Sequence, residues 1–189
     1  MRADAERSAA RILEAAATVL ATDPNASLER IADAAGLARA TVHRRFASRQ
    51  ALLGALVDQL NERYLISLTQ ARVETAPPVV ALHRVAEAVF ALKISHRFVM
   101  DLTADPDNCL TALSPEVVGR LDTLFTRLHE AGAITAARPA WCREVFLVLL
   151  DAVHRQPPDA PELAPGNGDP GSRADLFART LLGALGGTP

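Results

Sequence analysis

The chain has 189 residues, 49% of them hydrophobic and 22% charged, which is long and apolar enough to bury a sizeable core. A formal net charge of −2 excludes a polycation that coats nucleic acid in bulk. The charge is unevenly placed: residues 1–50 hold eight arginines and six acids, net +2, and the remainder holds twelve basic and sixteen acidic residues, net −4. That division suits a basic head on an acidic body.

Residues 5–22 predict a first helix, with Ile12, Leu13, Ala16, Val19 and Leu20 as its apolar stripe. Arg2 and Arg7 lie at its start, as a phosphate-seeking arm or a frayed terminus. Asp23-Pro24-Asn25 ends the helix, because proline cannot continue the hydrogen-bond ladder. A second, short helix follows. Ser27 is its N-cap, Leu28, Ile31, Ala32 and Ala35 recur at helical spacing, and Gly36 supplies the left-handed residue that stops it. A third helix then buries Leu37, Val42 and Phe46 and turns Arg39, Thr41, His43, Arg44 and Arg45 outward or sideways. Between Gly36 and Gln50 stand four arginines and no acid. A helix, a glycine turn and a short basic helix make the helix-turn-helix pattern, whose second helix enters the DNA major groove. The plain alternative is a solvated helical hairpin, which gives the arginine cluster no purpose.

The stretch AATVLA, followed by LERIADAAGLARATVHRRFASRQALLGALV, resembles the N-terminal domain of the tetracycline-repressor (TetR) family of transcription regulators. The match covers about residues 8–60. The family pattern of Gly, apolar, Ser, then Thr, apolar, Tyr, then Phe and Ser stands here as Gly36, Leu37, Ala38, Thr41, Val42, His43, Phe46 and Ser48. Ala38 replaces a helix-capping serine, which weakens the start of the recognition helix. His43 replaces a tyrosine that touches a backbone phosphate in the family. The resemblance implies a homodimer, a ligand cavity among the middle helices, and a four-helix interface built from the last two helices of each subunit.

Ser48 predicts the N-cap of a fourth helix running to about Arg72, with Arg49 in its first turn placed to meet phosphate. Starting beside the DNA and ending in the body, that helix is a lever for the head. After Pro77-Pro78 a helix to about Leu102 is apolar on most of its circumference and reads as buried. Lys93 and Arg97 lie within it, with His96 and Met100 beside them. Two readings stand: a salt-bridged pair of buried cations, or an effector pocket preferring an acidic or polar ligand lined by Lys93, His96, Arg97 and Met100. Residues 101–113 are polar and broken, a cavity wall. Ser114-Pro115-Glu116 opens a helix that Gly132 stops, and Pro139 opens another to about Arg155. Residues 156–171, with five prolines and three glycines, form a loop, and the last helix starts near Ser172. Trp141, Val145, Leu149, Leu176, Phe177 and Leu181 are the candidate dimer interface.

Cys109 and Cys142 have no CxxC spacing and read as reduced thiols. The five histidines lack metal-ligand spacing, and there is no P-loop, GxSxG or HExxH. All but one of the 20 cations are arginine, which reads as genome composition rather than chemistry.

The expected molecule is all-α, with about nine helices: a three-helix DNA-binding head at residues 1–47 and an effector-binding and dimerisation body at 48–189. It is a cytoplasmic homodimer on double-stranded DNA, needing no cofactor, no metal and no membrane. Its recognition helices sit one DNA turn apart, roughly 34 Å, on a pseudo-palindrome, and a small-molecule effector releases them. Arg39 and Arg44 take base edges or nearby phosphate, Thr41 a base or phosphate, and His43 and Arg49 phosphate, with Arg45 at the same surface. The runner-up is a helical dimeric interaction protein with weak DNA binding. Because protonated His43 donates more strongly, DNA affinity should fall from mildly acid to mildly alkaline pH; a flat titration rejects that role.

Overall fold

The computed structural model describes residues 2–95, 113–163 and 168–187, and every regular element among them is helical. The eight helices of the described residues are α1 (Arg2–Thr22), α2 (Leu28–Ala35), α3 (Arg39–Arg45), α4 (Arg49–Ala71), α5 (Pro78–Ser95), α6 (Pro115–Glu130), α7 (Pro139–His154) and α8 (Pro170–Ala184). None of them is long and apolar enough to cross a membrane. The described residues form two compact units, one of residues 2–62 and one of 63–95 with 113–187. The division falls inside α4, because Leu52, Leu53 and Leu56 are buried in the first unit.

In the first unit α1 packs on α2, and α2 on α3. Ile12, Ala16 and Leu20, spaced four apart on α1, are completely buried, as are Ile31 and Ala32 of α2. Ser27 caps α2 by accepting the Arg30 N–H at 3.3 Å. At the other end Gly36 sits at φ 61°, Leu37 N–H returns to Ala32 O at 3.0 Å, and Gly36 N–H to Asp33 O at 3.1 Å. This pair of bonds is the Schellman closure, and it requires the left-handed residue. Arg11 of α1 adds a third, donating from Nη2 to Ala35 O at 2.8 Å. α1 begins at Arg2, three residues earlier than periodicity predicts, so Arg2 and Arg7 are helical rather than in a separate arm, and Arg7 pairs with Asp4.

In the second unit α5 packs on α8 and α6, and α7 on α6 and α8. Each of these four helices contributes one phenylalanine to a continuous edge-to-face stack. Phe90 meets Phe177 at 5.9 Å, Phe177 meets Phe146 at 4.9 Å, and Phe146 meets Phe125 at 5.9 Å between ring centroids. Around the stack, arginines donate to backbone carbonyls of neighbouring helices and turns. Arg127 of α6 donates to Val73 O and, at 2.8 Å, to Ala76 O, in the turn after α4. Arg120 reaches Leu65 O at 3.2 Å and Thr69 Oγ1 at 2.7 Å, and holds Glu74 through Nε and Nη2. Arg173 of α8, 7% exposed, donates to Val153 O, His154 O and Gln156 O at the end of α7 and to Gly168 O before its own helix. The arginine bias therefore does serve chemistry at these sites, since a lysine has no fork to bridge several carbonyls.

Several expectations change. α5 is not buried all round: Val80, Arg84, Glu87 and Ala91 form an exposed stripe, with Val80 41% exposed. α8 starts at Pro170 rather than Ser172, because the Asp169 carboxylate accepts the Ser172 N–H at 2.7 Å and Pro170 fits the first turn. Those backbone and side-chain donors of Ser172 hold the Asp169 carboxyl below its usual range. Leu37 is only half-buried and lies in the turn, and Phe46 closes α3 from just beyond its end. Phe177 and Leu181 are fully buried within the chain, so they build the core and not a subunit interface. Cys142 is buried, and burial pushes its thiol up; Cys109 lies outside the described residues.

Replacing Arg173 by Met strands the carbonyls of His154, Gln156 and Gly168, since Val153 O keeps the Gln156 N–H, and should cost about 2–4 kcal/mol in urea unfolding. The same change at exposed Arg179 should stay within about 0.5 kcal/mol.

Candidate nucleic-acid interface

α3 has seven residues, too few to be stable alone. It is held by Val42, which is completely buried, and by Phe46, 8% exposed. Ala38 stands at the N-cap with no side-chain hydrogen bond, so nothing but its carbonyl, accepting from Thr41 and Val42 N–H, starts the helix. With Val42 fixed inward, Arg44 lies about 200° further round and points nearly opposite. Arg39, His43, Arg44 and Arg45 are exposed and Thr41 is half-exposed.

The first unit treats its cations in two ways. Arg7 pairs with Asp4, Arg30 with Asp23 at 2.6 Å, and Arg11 with Ala35 O. Arg49, at the start of α4 where Ser48 Oγ accepts Ala51 N–H at 3.1 Å, donates to Pro24 O. Arg39, Arg44 and Arg45 of α3, by contrast, make no hydrogen bond or ion pair with any described residue. Unpaired guanidinium forks on one short helix offer donors to phosphates and guanine edges.

His43 differs from its neighbours. Its Nε2 is 3.4 Å from the Glu29 Oε1 on α2. The Glu29 carboxyl is held below its usual range by its own backbone N–H, then by the Ser27 hydroxyl and His43. An ionised carboxylate therefore competes with any phosphate for this ring. Sequence reasoning had no sign of it, because fourteen residues separate the two.

The second unit contains an open cleft of about 40 Å³ whose lining includes Tyr64, Val85, Val89, Leu121, Phe146 and Leu150. No charged side chain among the described residues lines it. Its other hydroxyl, Ser67, is engaged by Arg63 O on its own helix at 2.9 Å. Tyr64 is 9% exposed and its hydroxyl has no hydrogen-bond partner among the described residues. Burial pushes the phenol up, which keeps it protonated and a donor. The sequence hid this residue in the aliphatic row of α4, although it is the chain's only tyrosine.

Of the residues expected to line an effector pocket, Lys93 is 7% exposed with Nζ 3.7 Å from Asp151 Oδ1, which also pairs with Arg155. Lys93 thus follows the salt-bridged reading and is not on the wall of the cleft. His96, Arg97 and Met100 lie outside the described residues, as does the segment expected to form a cavity wall up to 112. On α7, Cys142, Phe146, Leu150 and Val153 face inward, while Trp141 is 49% and Val148 73% exposed, with Val145 and Leu149 half-buried. Leu176 of α8 is half-buried.

Residues 12–56 match the model described as bacterial regulatory proteins, tetR family. The chain is 34% identical over 154 residues to the HTH-type transcriptional repressor LfrR of Mycolicibacterium smegmatis, covering 78% of this chain and 77% of the relative. The structure is similar to that of LfrR in complex with proflavine, at TM-score 0.63 and 28% identity over 93% of this chain and 94% of that one. It is also similar to the fatty acid degradation regulator FadR from Bacillus halodurans, at TM-score 0.75 over 96% and 97% of the two chains. The 20% identity there speaks for the fold alone.

The missing cap gives a simple check. Ala38→Ser should stabilise the protein by about 1 kcal/mol in thermal unfolding, since a hydroxyl there satisfies an open N–H of α3.

Proposed function

Since the chain belongs to the tetR family of bacterial regulatory proteins, we propose that this DNA-binding transcriptional regulator is a homodimeric repressor released by a small molecule. The observation that carries the reading is the set of three arginines on α3 without a partner among the described residues, in a unit where Arg7, Arg11, Arg30 and Arg49 are engaged by carboxylates or carbonyls. An interaction protein with vestigial DNA binding gives those cations no role. Arg44 and Arg39 take base edges or nearby phosphate, and Thr41 a base or phosphate. Arg45 stands beside them, and His43 and Arg49 hold the backbone once they leave Glu29 and Pro24.

The head is residues 1–47 and the sensing body 48–189. Release by a ligand follows if the ligand binds one arrangement of the heads better than the other. Support for a small molecule comes from the cleft beside α4 and from the relative's complex with proflavine. The second copy docks on the outer face of α7, where Trp141, Val145 and Val148 recur at spacings of four and three, joined by Leu149 and by Leu176 of α8. Exposed aromatic and aliphatic side chains in one patch suit a twofold contact.

Binding to DNA flanking its own gene, or to fragments selected from the genome, should be specific and should weaken steeply with salt. The Thr41→Ala, Arg44→Ala double variant should lose about 100-fold in affinity with its unfolding curve unchanged. Failure to select any sequence rejects the reading. In sedimentation, Val148→Glu should convert a dimer to monomers; a variant that remains dimeric moves the interface elsewhere.

A further inference from the structure

We infer that Glu29 is a positioning residue of the nucleic-acid interface, an internal anion that holds the His43 ring and thereby limits affinity for the DNA backbone. The inference rests on the assignment of α3 to DNA above, and adds to it a residue of α2 that governs how tightly α3 binds.

Three observations carry it. First, Glu29 Oε1 on α2 stands 3.4 Å from His43 Nε2 on α3, with both side chains partly exposed. A carboxylate only accepts, so it takes the single N–H of a neutral ring and neutralises the charge of a protonated one. In either state the ring offers a phosphate less than it would alone. Arg39, one turn earlier on α3, brings no competing acceptor. Second, the carboxylate is fixed where it stands. It lies in the first turn of α2, at the positive end of the dipole, and its own backbone N–H and the Ser27 hydroxyl engage it too. Third, the partners divide by role. His43 and Arg49, assigned to the DNA backbone, each have an internal acceptor, Glu29 and Pro24 O. Arg39, Arg44 and Arg45 have none among the described residues. A phosphate contact by His43 is therefore an exchange: the ring leaves Glu29, and a carboxylate without its partner is left near the phosphates. The cost is the same at every sequence, since phosphate contacts carry no base information.

The test is a double-mutant cycle on the full-length chain: native, Glu29→Gln, His43→Ala and the double variant. Gln keeps an oxygen for the Ser27 hydroxyl and the backbone N–H, so the start of α2 survives, and melting curves check it. Binding to the selected DNA and to an unrelated duplex of equal length is followed by fluorescence anisotropy. Glu29→Gln should bind both duplexes about fivefold to tenfold more tightly than the native chain, by a like factor. In the His43→Ala background the same substitution should gain about twofold or less, the effect of one negative charge removed at a distance. His43→Ala alone, which leaves α2 intact, should weaken the native chain by about twofold or less. In imidazole nitrogen spectra of the DNA-free protein, Glu29→Gln should move the His43 signals and leave the other four histidines in place. The inference is overturned if Glu29→Gln binds no more tightly, if its gain is undiminished without His43, or if the gain is confined to the selected sequence. It is also overturned if His43→Ala alone costs about tenfold, or if the His43 ring signals stay where they are. No DNA binding by any of the four proteins rejects the regulator reading and the inference with it. Binding by the native chain together with any of the overturning results rejects the inference alone.

Discussion

A helix of seven residues does not persist in water, and the proposed contact with DNA is built on one. α3 lacks a side-chain cap and opens on a cation, Arg39, at the positive end of its dipole, which the favourable placement of Arg44 and Arg45 in its last turn offsets only in part. What keeps it in place is burial at one edge, Val42 and Phe46, against a neighbour that is itself closed off with care. Gly36 turns the chain, two backbone bonds lock the turn, and Arg11 reaches across from α1 to the last carbonyl of α2. A Cβ at Gly36 would stand 3.4 Å from that same guanidinium and require a left-handed φ of an ordinary residue. In the proposed mode of binding, recognition of DNA thus depends on the turn that precedes α3.

The same device recurs in the second unit. Turns and helix ends leave carbonyls without donors, and Arg127 and Arg173 reach from a neighbouring helix to supply them, while Arg120 clamps Leu65 O and Thr69 on the side of α4. Each such contact joins an end that would fray to a surface that would not. Arg173 goes furthest, binding the end of α7 and the turn before α8 with one side chain. The arginines divide by partner: some face carbonyls and hold the fold, while those of α3 face nothing in the described chain and remain available.

What the sequence made legible was local. Ser27, Ser48 and Ser114 as caps, Gly36 and Gly132 as stops, and Pro115 and Pro139 as helix openings are each decided within a few residues, and the structure places them so. The helix-turn-helix and the all-α class follow from such signals together with period. What stayed hidden was which neighbour each apolar face meets. Phe177 and Leu181 share the periodicity of interface residues, yet the stack of rings takes Phe177 into the core. An apolar run on α5 could not announce that one stripe would stay open. Glu29 beside His43, Asp151 beside Lys93 and the solitary phenol of Tyr64 are all tertiary facts, set by residues far apart along the chain.

The four-ring stack has a bearing on how such a protein diversifies. Phe146 is at once a wall of the cleft and the middle of the stack, in contact with Phe125 on one side and Phe177 on the other. Val85, Val89 and Leu121 line the cleft without belonging to the stack. A substitution at those aliphatic positions therefore changes the shape of the cleft by a methylene at a time without breaking the stack. A change at Phe146 would loosen four helices together. The wall is thus divided into a part that evolution can rewrite and a part it must inherit.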